Sequence, residues 1–385
     1  MGAIANLTKQ IIYGEHTIDQ LPAVAKHYNI KHLCMIYSAS AIPHAQQEQL
    51  NIALKQNDIQ MTFYRMPKGE PTTDFLASCL QLVMTGGCDG IVAIGGGSAL
   101  DLGKAVAALA LNKEISFSEL AEMPTIKRLP FIAVPTTAGT GSEATKIAVI
   151  TDLSKGIKLN PGHPDLVPDV AILDPVLTLG VPSHITAFTG LDALTHAMEA
   201  YVSTKATVLS DLYALQAIEM ITANIVKAYN EPTNLQARGQ MLLASYYAGV
   251  AFSNSSTNLA HAMGRALGAK FHLPHGQSVA LLHPFVVAYS YESCKERYDK
   301  IATIIGFKDG TAIVDYLNCL NDKLLVWQSA TSLTLNGFED AIEEMTMNAL
   351  SGNGILTNRK VPSAEHIKGI FKALQRQLEN VKQIQ

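Results

Sequence analysis

Apolar residues recur along the first half of the chain in short runs bounded by polar or turn-forming positions. His32-Leu-Cys-Met-Ile-Tyr37, Met61-Thr-Phe-Tyr-Arg65, Gly90-Ile-Val-Ala-Ile94 and Phe131-Ile-Ala-Val134 have the length and composition of strands. Between them, residues 42–57, 74–85 and 101–111 read as helices, with Asp74 near a helix start. Strands that alternate with helices imply βαβ units around a mostly parallel sheet. Beyond about Gly180 strand-like runs nearly vanish. Residues 185–203, 208–229, 235–252, 258–269 and 363–383 read as helices, the last with Ser363 where an N-cap belongs. The pattern predicts an α/β domain over 1–181 and an all-α domain over 182–385, with the boundary at Gly180-Val-Pro-Ser183.

A chain of 385 residues is long enough for two such domains. With 48% hydrophobic and 16% charged residues it is not a disordered protein. A net charge of −4, without any block of like charge, weighs against a nucleic-acid partner. The five cysteines are scattered and none forms C-x-x-C, which argues against a disulfide framework or a thiolate metal site and for a reducing compartment. The first residues lack the features of a signal peptide, and the apolar region 90–111 is broken by three glycines, Asp101 and Lys104. The expectation is a soluble cytoplasmic protein with no membrane partner.

Two loops follow strands and carry ligand-binding chemistry. Ala93-Ile-Gly-Gly-Gly-Ser-Ala-Leu-Asp101 runs from a strand through Gly95, Gly96 and Gly97 into a helix, where backbone N–H groups suit a phosphate. A tight strand-to-helix turn without ligand needs glycine as well. Thr136-Thr137-Ala-Gly-Thr140-Gly-Ser142-Glu-Ala144 contains G-x-G-x-x-A after a strand, a weak fingerprint on its own. It reads better as a hydroxyl-rich loop around a ligand, or as a plain Ser/Thr-rich turn.

The second half holds a different constellation. Asp192 and His196 stand at i and i+4 and share one helix face. A metal site and a helix-surface ion pair fit that spacing equally well. With His261 and His275 they make an all-N/O donor set suited to Fe²⁺, Zn²⁺, Mn²⁺ or Co²⁺, although periodicity alone does not show that the four converge. Glu199, three residues after His196, either orients a ligand or is solvated. The histidines at 16, 27, 32, 44, 163, 184, 283 and 366 read as surface or core residues.

Taken together, the glycine loop with Asp101 and Lys104, Pro135-Thr-Thr-Ala-Gly-Thr-Gly-Ser-Glu143, Gly190-Leu-Asp-Ala-Leu-Thr-His-Ala-Met-Glu199, His261 and Pro274-His275-Gly276 resemble the iron-containing alcohol dehydrogenases. The resemblance runs from about Tyr13 to Gln377. It implies a dinucleotide-binding α/β domain and a helical metal-binding, catalytic domain. It also implies hydride transfer between a nicotinamide cofactor and a small primary alcohol or its aldehyde. By the same resemblance Asp192, His196, His261 and His275 hold Fe²⁺ or another divalent ion such as Zn²⁺. Gly95, Gly96, Gly97, Ser98 and Asp101 line the pyrophosphate and ribose, and Thr136, Thr137, Thr140, Ser142 and Lys158 touch the rest of the cofactor. A homo-oligomer is expected on family grounds.

Two positions depart from the family pattern. Ser38 stands where many members carry an Asp that repels a 2′-phosphate, so NAD and NADP both remain open. Arg265 stands where many members carry a His proposed as a proton relay, and Arg is a poor acid or base. His272 is a substitute candidate for that relay. Arg265 either holds an anionic substrate group (carboxylate, sulfonate or phosphonate) or packs structurally or against cofactor phosphate. Competing readings are a dehydroquinate synthase-like or glycerol-phosphate-type enzyme of the same architecture, a metallohydrolase, and a non-catalytic binding protein.

Overall fold

The computed structural model describes residues 3–39, 41–330, 333 and 337–384. The chain divides into two compact units, Asn6–Val181 and Pro182–Gln385, the latter joined by Met1–Ala5.

The first unit is built on a six-stranded sheet. In chain order it contains β1 (Gln10–Tyr13), α1 (Leu21–His27), β2 (His32–Ser38), α2 (His44–Lys55), β3 (Gln60–Met66), α3 (Thr73–Gly86), β4 (Gly90–Gly95), α4 (Gly97–Leu109) and β5 (Phe131–Pro135). A two-stranded antiparallel hairpin, β6 (Ile150–Asp152) and β7 (Ile157–Leu159), precedes β8 (Val170–Leu173). The large sheet has the order β1-β8-β5-β4-β2-β3, and every pairing in it is parallel. Alternate residues of each central strand serve opposite faces. Leu33, Met35, Val92 and Ile94 join one core with α1 and α2, while Cys34, Ile36, Ile91 and Ala93 join the other with α3 and α4. Burial on both faces makes these strands continuous apolar runs, which is why the sequence displays them. The chain reverses direction across the sheet between β2 and β4, so Ser38 and Gly95 sit at the strand ends where open α/β sheets receive ligands.

The second unit is helical: α5 (Ser183–Val202), α6 (Val208–Asn230), α7 (Leu235–Ser253), α8 (Leu259–Phe271), α9 (His275–Ser290), α10 (Lys295–Ile304), α11 (Ala312–Lys323), α12 (Val326–Ser329), α13 (Phe338–Leu350) and α14 (Ala364–Ile384). α5 is buried on nearly all sides from Thr186 to Val202 and packs against α6, α7 and α9, while α8 packs against α9 and α13. Among the described residues no helix is long and apolar enough to cross a membrane.

Some expected boundaries move. α4 opens at Gly97 rather than near Asp101, which places Asp101 inside the helix. Gly139-Thr-Gly-Ser-Glu-Ala144 opens no α-helix. It ends in a single 3-10 turn, Ser142–Ala144, so the dinucleotide fingerprint is not met there. The short strands β1 and β8 and the hairpin β6–β7 escape a reading based on apolar runs, being only three or four residues each.

Candidate active site

The interior of α5 carries Asp192, His196 and Glu199 on one helix face, all buried. His196 Nδ1 lies 3.9 Å from Asp192 Oδ2. From α8, His261 places Nε2 3.5 Å from Asp192 Oδ1, and His275, the first residue of α9, places its Nε2 3.6 Å from the same oxygen. One donor atom from each of Asp192, His261 and His275 lies within 4.8 Å of the others. His196 stands beside this trio, its ring stacked between His261 (centroids 4.3 Å apart) and Phe252 (4.2 Å). The fold therefore brings the four sequence-identified residues together across three helices, with three of them presenting donor atoms to one point.

The donors suit a divalent cation. Asp192 Oδ1, His196 Nδ1 and His261 Nε2 are buried without a hydrogen-bond partner. A buried polar atom left this way costs about 1–3 kcal/mol unless another partner takes it up. The 3.5 and 3.6 Å separations sit close to the edge of a shell with bonds of about 2.0–2.2 Å, where neighbouring donors are about 3.0–3.5 Å apart. One carboxylate with imidazoles is a borderline-hard set that fits Fe²⁺ or Zn²⁺.

The local electrostatics agree. Burial alone would push the Asp192 carboxyl up, but His196, His275 and His261 hold it well below the usual carboxylate range. Burial drives the His196 imidazole down to about 3. Burial also opposes charge on His261, yet Glu199 and Asp192 outweigh it and raise that imidazole to about 9. Two buried carboxylates thus draw positive charge into the cluster, and a proton on His261 competes there with a metal ion.

Glu199 stands behind His261. Its Oε2 accepts from His261 Nδ1 (2.7 Å) and from the Asn258 amide (2.7 Å), and its Oε1 accepts from the Ala260 amide (2.6 Å). Asn258 is the N-cap of α8, so one carboxylate serves both the helix start and the imidazole.

The loops of the first unit converge at the carboxyl ends of β2, β4 and β5. A Cβ on Gly95 would stand 2.8 Å from Ser38 Oγ. One on Gly97 would stand 2.8 Å from the Thr140 methyl, and one on Gly96 would stand 3.3 Å from Thr137 Oγ1. Ser38, the glycines, Thr137 and Thr140 therefore share one cradle, Ser98 lies in the first turn of α4, and the Thr136 amide bonds the Gly95 carbonyl at 2.9 Å. The side-chain-free backbone at the amino end of α4 fits dinucleotide phosphates.

Asp101 and Ser142 do not face outward. Ser142 Oγ donates to Asp101 Oδ1 (2.6 Å) and the Val149 amide to Asp101 Oδ2 (3.0 Å). Lys104, fully buried, donates to Thr145 Oγ1 (2.8 Å) and to the Ile147 carbonyl (2.6 Å), and lies 3.7 Å from Asp101 Oδ1. Burial lowers the Lys104 ammonium to about 8 and raises the nearby Glu143 carboxyl to about 7. These residues tie the hydroxyl-rich loop to α4. Lys158 lies on β7 and pairs with Glu70 Oε1 at 2.6 Å on the surface.

Comparison with known proteins decides the family. Residues 8–175 match the iron-containing alcohol dehydrogenase model, and residues 186–375 match the C-terminal model of the same Fe-containing family. The chain belongs to the iron-containing alcohol dehydrogenase family. It is 39% identical over 372 residues to a probable alcohol dehydrogenase, EutG, of Escherichia coli K12, covering 94% of this chain and 92% of that protein. It is 33% identical over 322 residues to the sulfoacetaldehyde reductase of Bilophila wadsworthia, covering 83% and 82%. The structure of sulfoacetaldehyde reductase from Bifidobacterium kashiwanohense, in complex with NAD⁺, superposes with a TM-score of 0.88 at 27% identity, covering 97% of this chain and 99% of that one.

Within this dehydrogenase Arg265 and the relay candidate His272 take different places. Arg265 lies on α8 one turn beyond His261 and shares its face. Its guanidinium reaches Gly352, where an added Cβ would meet Nη2 at 2.8 Å. It is largely removed from solvent, and burial lowers its pKa against the pull of Glu199. Among the described residues it makes no hydrogen bond or ion pair. His272 is the exposed left-handed C-cap of α8 and lies outside the imidazole cluster.

Three neighbours of the cluster drew no functional reading from sequence. Phe252 stacks on His196, and no local pattern announces it. His283, read as surface or core, is buried with Nδ1 3.0 Å from Thr195 Oγ1, which itself donates to the Leu191 carbonyl. Gly276 packs its backbone against Phe188 and Asp192 of α5, a closeness visible only once the helices are paired.

Proposed function

We propose that this alcohol dehydrogenase interconverts a short primary alcohol and its aldehyde, and that the aldehyde carries an anionic group held by Arg265. In this reading Asp192, His196, His261 and His275 hold Fe²⁺ or another divalent ion. Gly95, Gly96, Gly97, Ser98, Thr136, Thr137 and Thr140 cradle NAD or NADP, with Asp101 and Ser142 fixing the loop. When bound, such an ion would supply Lewis-acid polarisation at the alcohol or carbonyl oxygen, and the nicotinamide would supply or accept the hydride. The chain's own residues supply placement: buried helices fix the donor atoms and keep water from the His196 and His261 imidazoles, while His275 stands at the exposed side of the cluster.

The observation that carries the anionic preference is a largely buried guanidinium, one turn from His261, that feels Glu199 only through space and makes no hydrogen bond or ion pair among the described residues. A buried charge without a counter-ion in contact is costly, and an incoming anion relieves that cost. Arg presents a planar fork that matches carboxylate, sulfonate or phosphonate oxygens. The relatives that act on sulfoacetaldehyde support a charged substrate without identifying it.

The test uses enzyme loaded with Fe²⁺ under anaerobic conditions, followed at 340 nm with NADH and NADPH. An Arg265→Ala variant is expected to raise KM for an anionic C2–C4 aldehyde by about 10–100-fold, the loss of a charge-assisted bond of about 1.5–3 kcal/mol. KM for a neutral aldehyde of the same length is expected to stay within about threefold. Equal changes for both would refute the anionic reading.

A further inference from the structure

We infer that Glu199 is the positioning residue of the metal site, selecting the ring nitrogen that His261 offers to the ion. The inference rests on the reading that His261 is one of the ion's holders. An imidazole binds a metal through a nitrogen that carries no proton, so the proton must sit on the other nitrogen. Glu199 Oε2 lies 2.7 Å from His261 Nδ1, which puts the proton there. In the neutral ring, the form that binds an ion, His261 Nε2 is then left with its lone pair, buried and unpartnered, 3.5 Å from Asp192 Oδ1.

The same carboxylate holds the helix that carries the ring. The Asn258 and Ala260 amides, at the start of α8, donate to Glu199 at 2.7 and 2.6 Å. The Asn258 side-chain amide donates to the Glu199 carbonyl at 2.8 Å. Helix position and ring orientation therefore share one anchor, and the ring cannot turn without giving up a bond to it. Three N–H donors meet two oxygens, an arrangement that only an ionised carboxylate satisfies in full. A glutamine amide in its place sets an N–H against at least one of the donors. It also removes the negative charge that strengthens Nε2 as a ligand. Glu199 is 3% exposed, so water does not replace what is lost.

The test measures Zn²⁺ affinity by competition with a chromophoric chelator, and separately the urea midpoint of the metal-free protein. Glu199→Gln is expected to weaken Zn²⁺ binding by about 10–100-fold, the range typical of a lost partner behind a histidine ligand. The metal-free midpoint is expected to fall as well, because an N–H set against a buried donor is destabilising, so the Zn²⁺ affinity is the deciding reading. A role limited to capping α8 predicts the lower midpoint alone, with Zn²⁺ affinity within twofold of wild type, and that result overturns the inference. Glu199→Asp keeps the charge on a shorter arm and is expected to bind Zn²⁺ more tightly than Glu199→Gln. Equal loss in both removes the part assigned to charge. His261→Ala separates this inference from the reading beneath it. Wild-type Zn²⁺ affinity in His261→Ala refutes the metal site itself, whereas loss there with none in Glu199→Gln refutes only the role of Glu199.

Discussion

Gly276→Ala probes how closely the metal site depends on helix packing. Gly276 follows His275 at the start of α9, where that helix crosses α5. An added Cβ would lie 2.2 Å from the Phe188 carbonyl oxygen, 2.8 Å from its carbon and 3.2 Å from Asp192 Cβ. The first contact falls about 1.2 Å inside ordinary van der Waals distance, and it meets backbone, which cannot rotate away. The start of α9 must therefore move by about 1 Å, taking His275 Nε2 away from its 3.6 Å approach to Asp192 Oδ1. Overpacking of this kind costs about 1–3 kcal/mol. If binding the ion restores the original packing, that strain appears as a 5- to 150-fold loss of Zn²⁺ affinity, at about 1.4 kcal/mol per tenfold. A displacement of about 1 Å at the reacting centre also lowers kcat by about 100-fold. The assay pairs chelator competition for Zn²⁺ with aldehyde reduction by the Fe²⁺ enzyme at 340 nm, and circular dichroism confirms that the helices remain. Affinity and kcat both within twofold of wild type would refute the claim that α5–α9 contact sets the geometry.

Lys104→Met removes the buried cation beside Asp101 and Glu143 and is expected to cost about 3–5 kcal/mol, read as an earlier urea transition; a loss below about 1 kcal/mol would show that the buried charges find other compensation. Ser38→Asp places a carboxylate at the end of β2 beside Gly95 and is expected to reduce the NADPH:NADH ratio of kcat/KM at least about tenfold, whereas an unchanged ratio would remove Ser38 from cofactor selection. Cys34, Cys79, Cys88 and Cys294 are buried free thiols, and the thiols of Cys34 and Cys88 are pushed well up, Cys34 first by its hydrogen bond with Cys79 and Cys88 first by its hydrogen bond with Cys34. Iodoacetamide on the native protein is therefore expected to label exposed Cys319 alone, and mass spectrometry finding Cys34 or Cys88 modified without unfolding would contradict that burial.

Much of this protein is determined by sequence alone, for physical reasons that differ from place to place. β2, β4 and β5 are legible because both faces of the sheet are covered, which requires unbroken apolar runs. The i, i+4 spacing of Asp192 and His196 is legible as one helix face, yet it fits a surface ion pair as well as a metal site, and only the folded structure shows that α5 is buried nearly all round. The family motifs then fix the class of chemistry. Tertiary structure decides what spacing does not encode. Whether Glu199 is solvated or pinned depends on where α8 begins relative to α5, because its three N–H partners lie 59 to 62 residues away along the chain. Asp101 and Ser142 look outward in a motif, yet folding turns them toward each other because Lys104 needs a carboxylate beside it in the interior. Whether Arg265 has a partner is likewise a question of which side chains surround α8, since helical spacing specifies a face but not its neighbours.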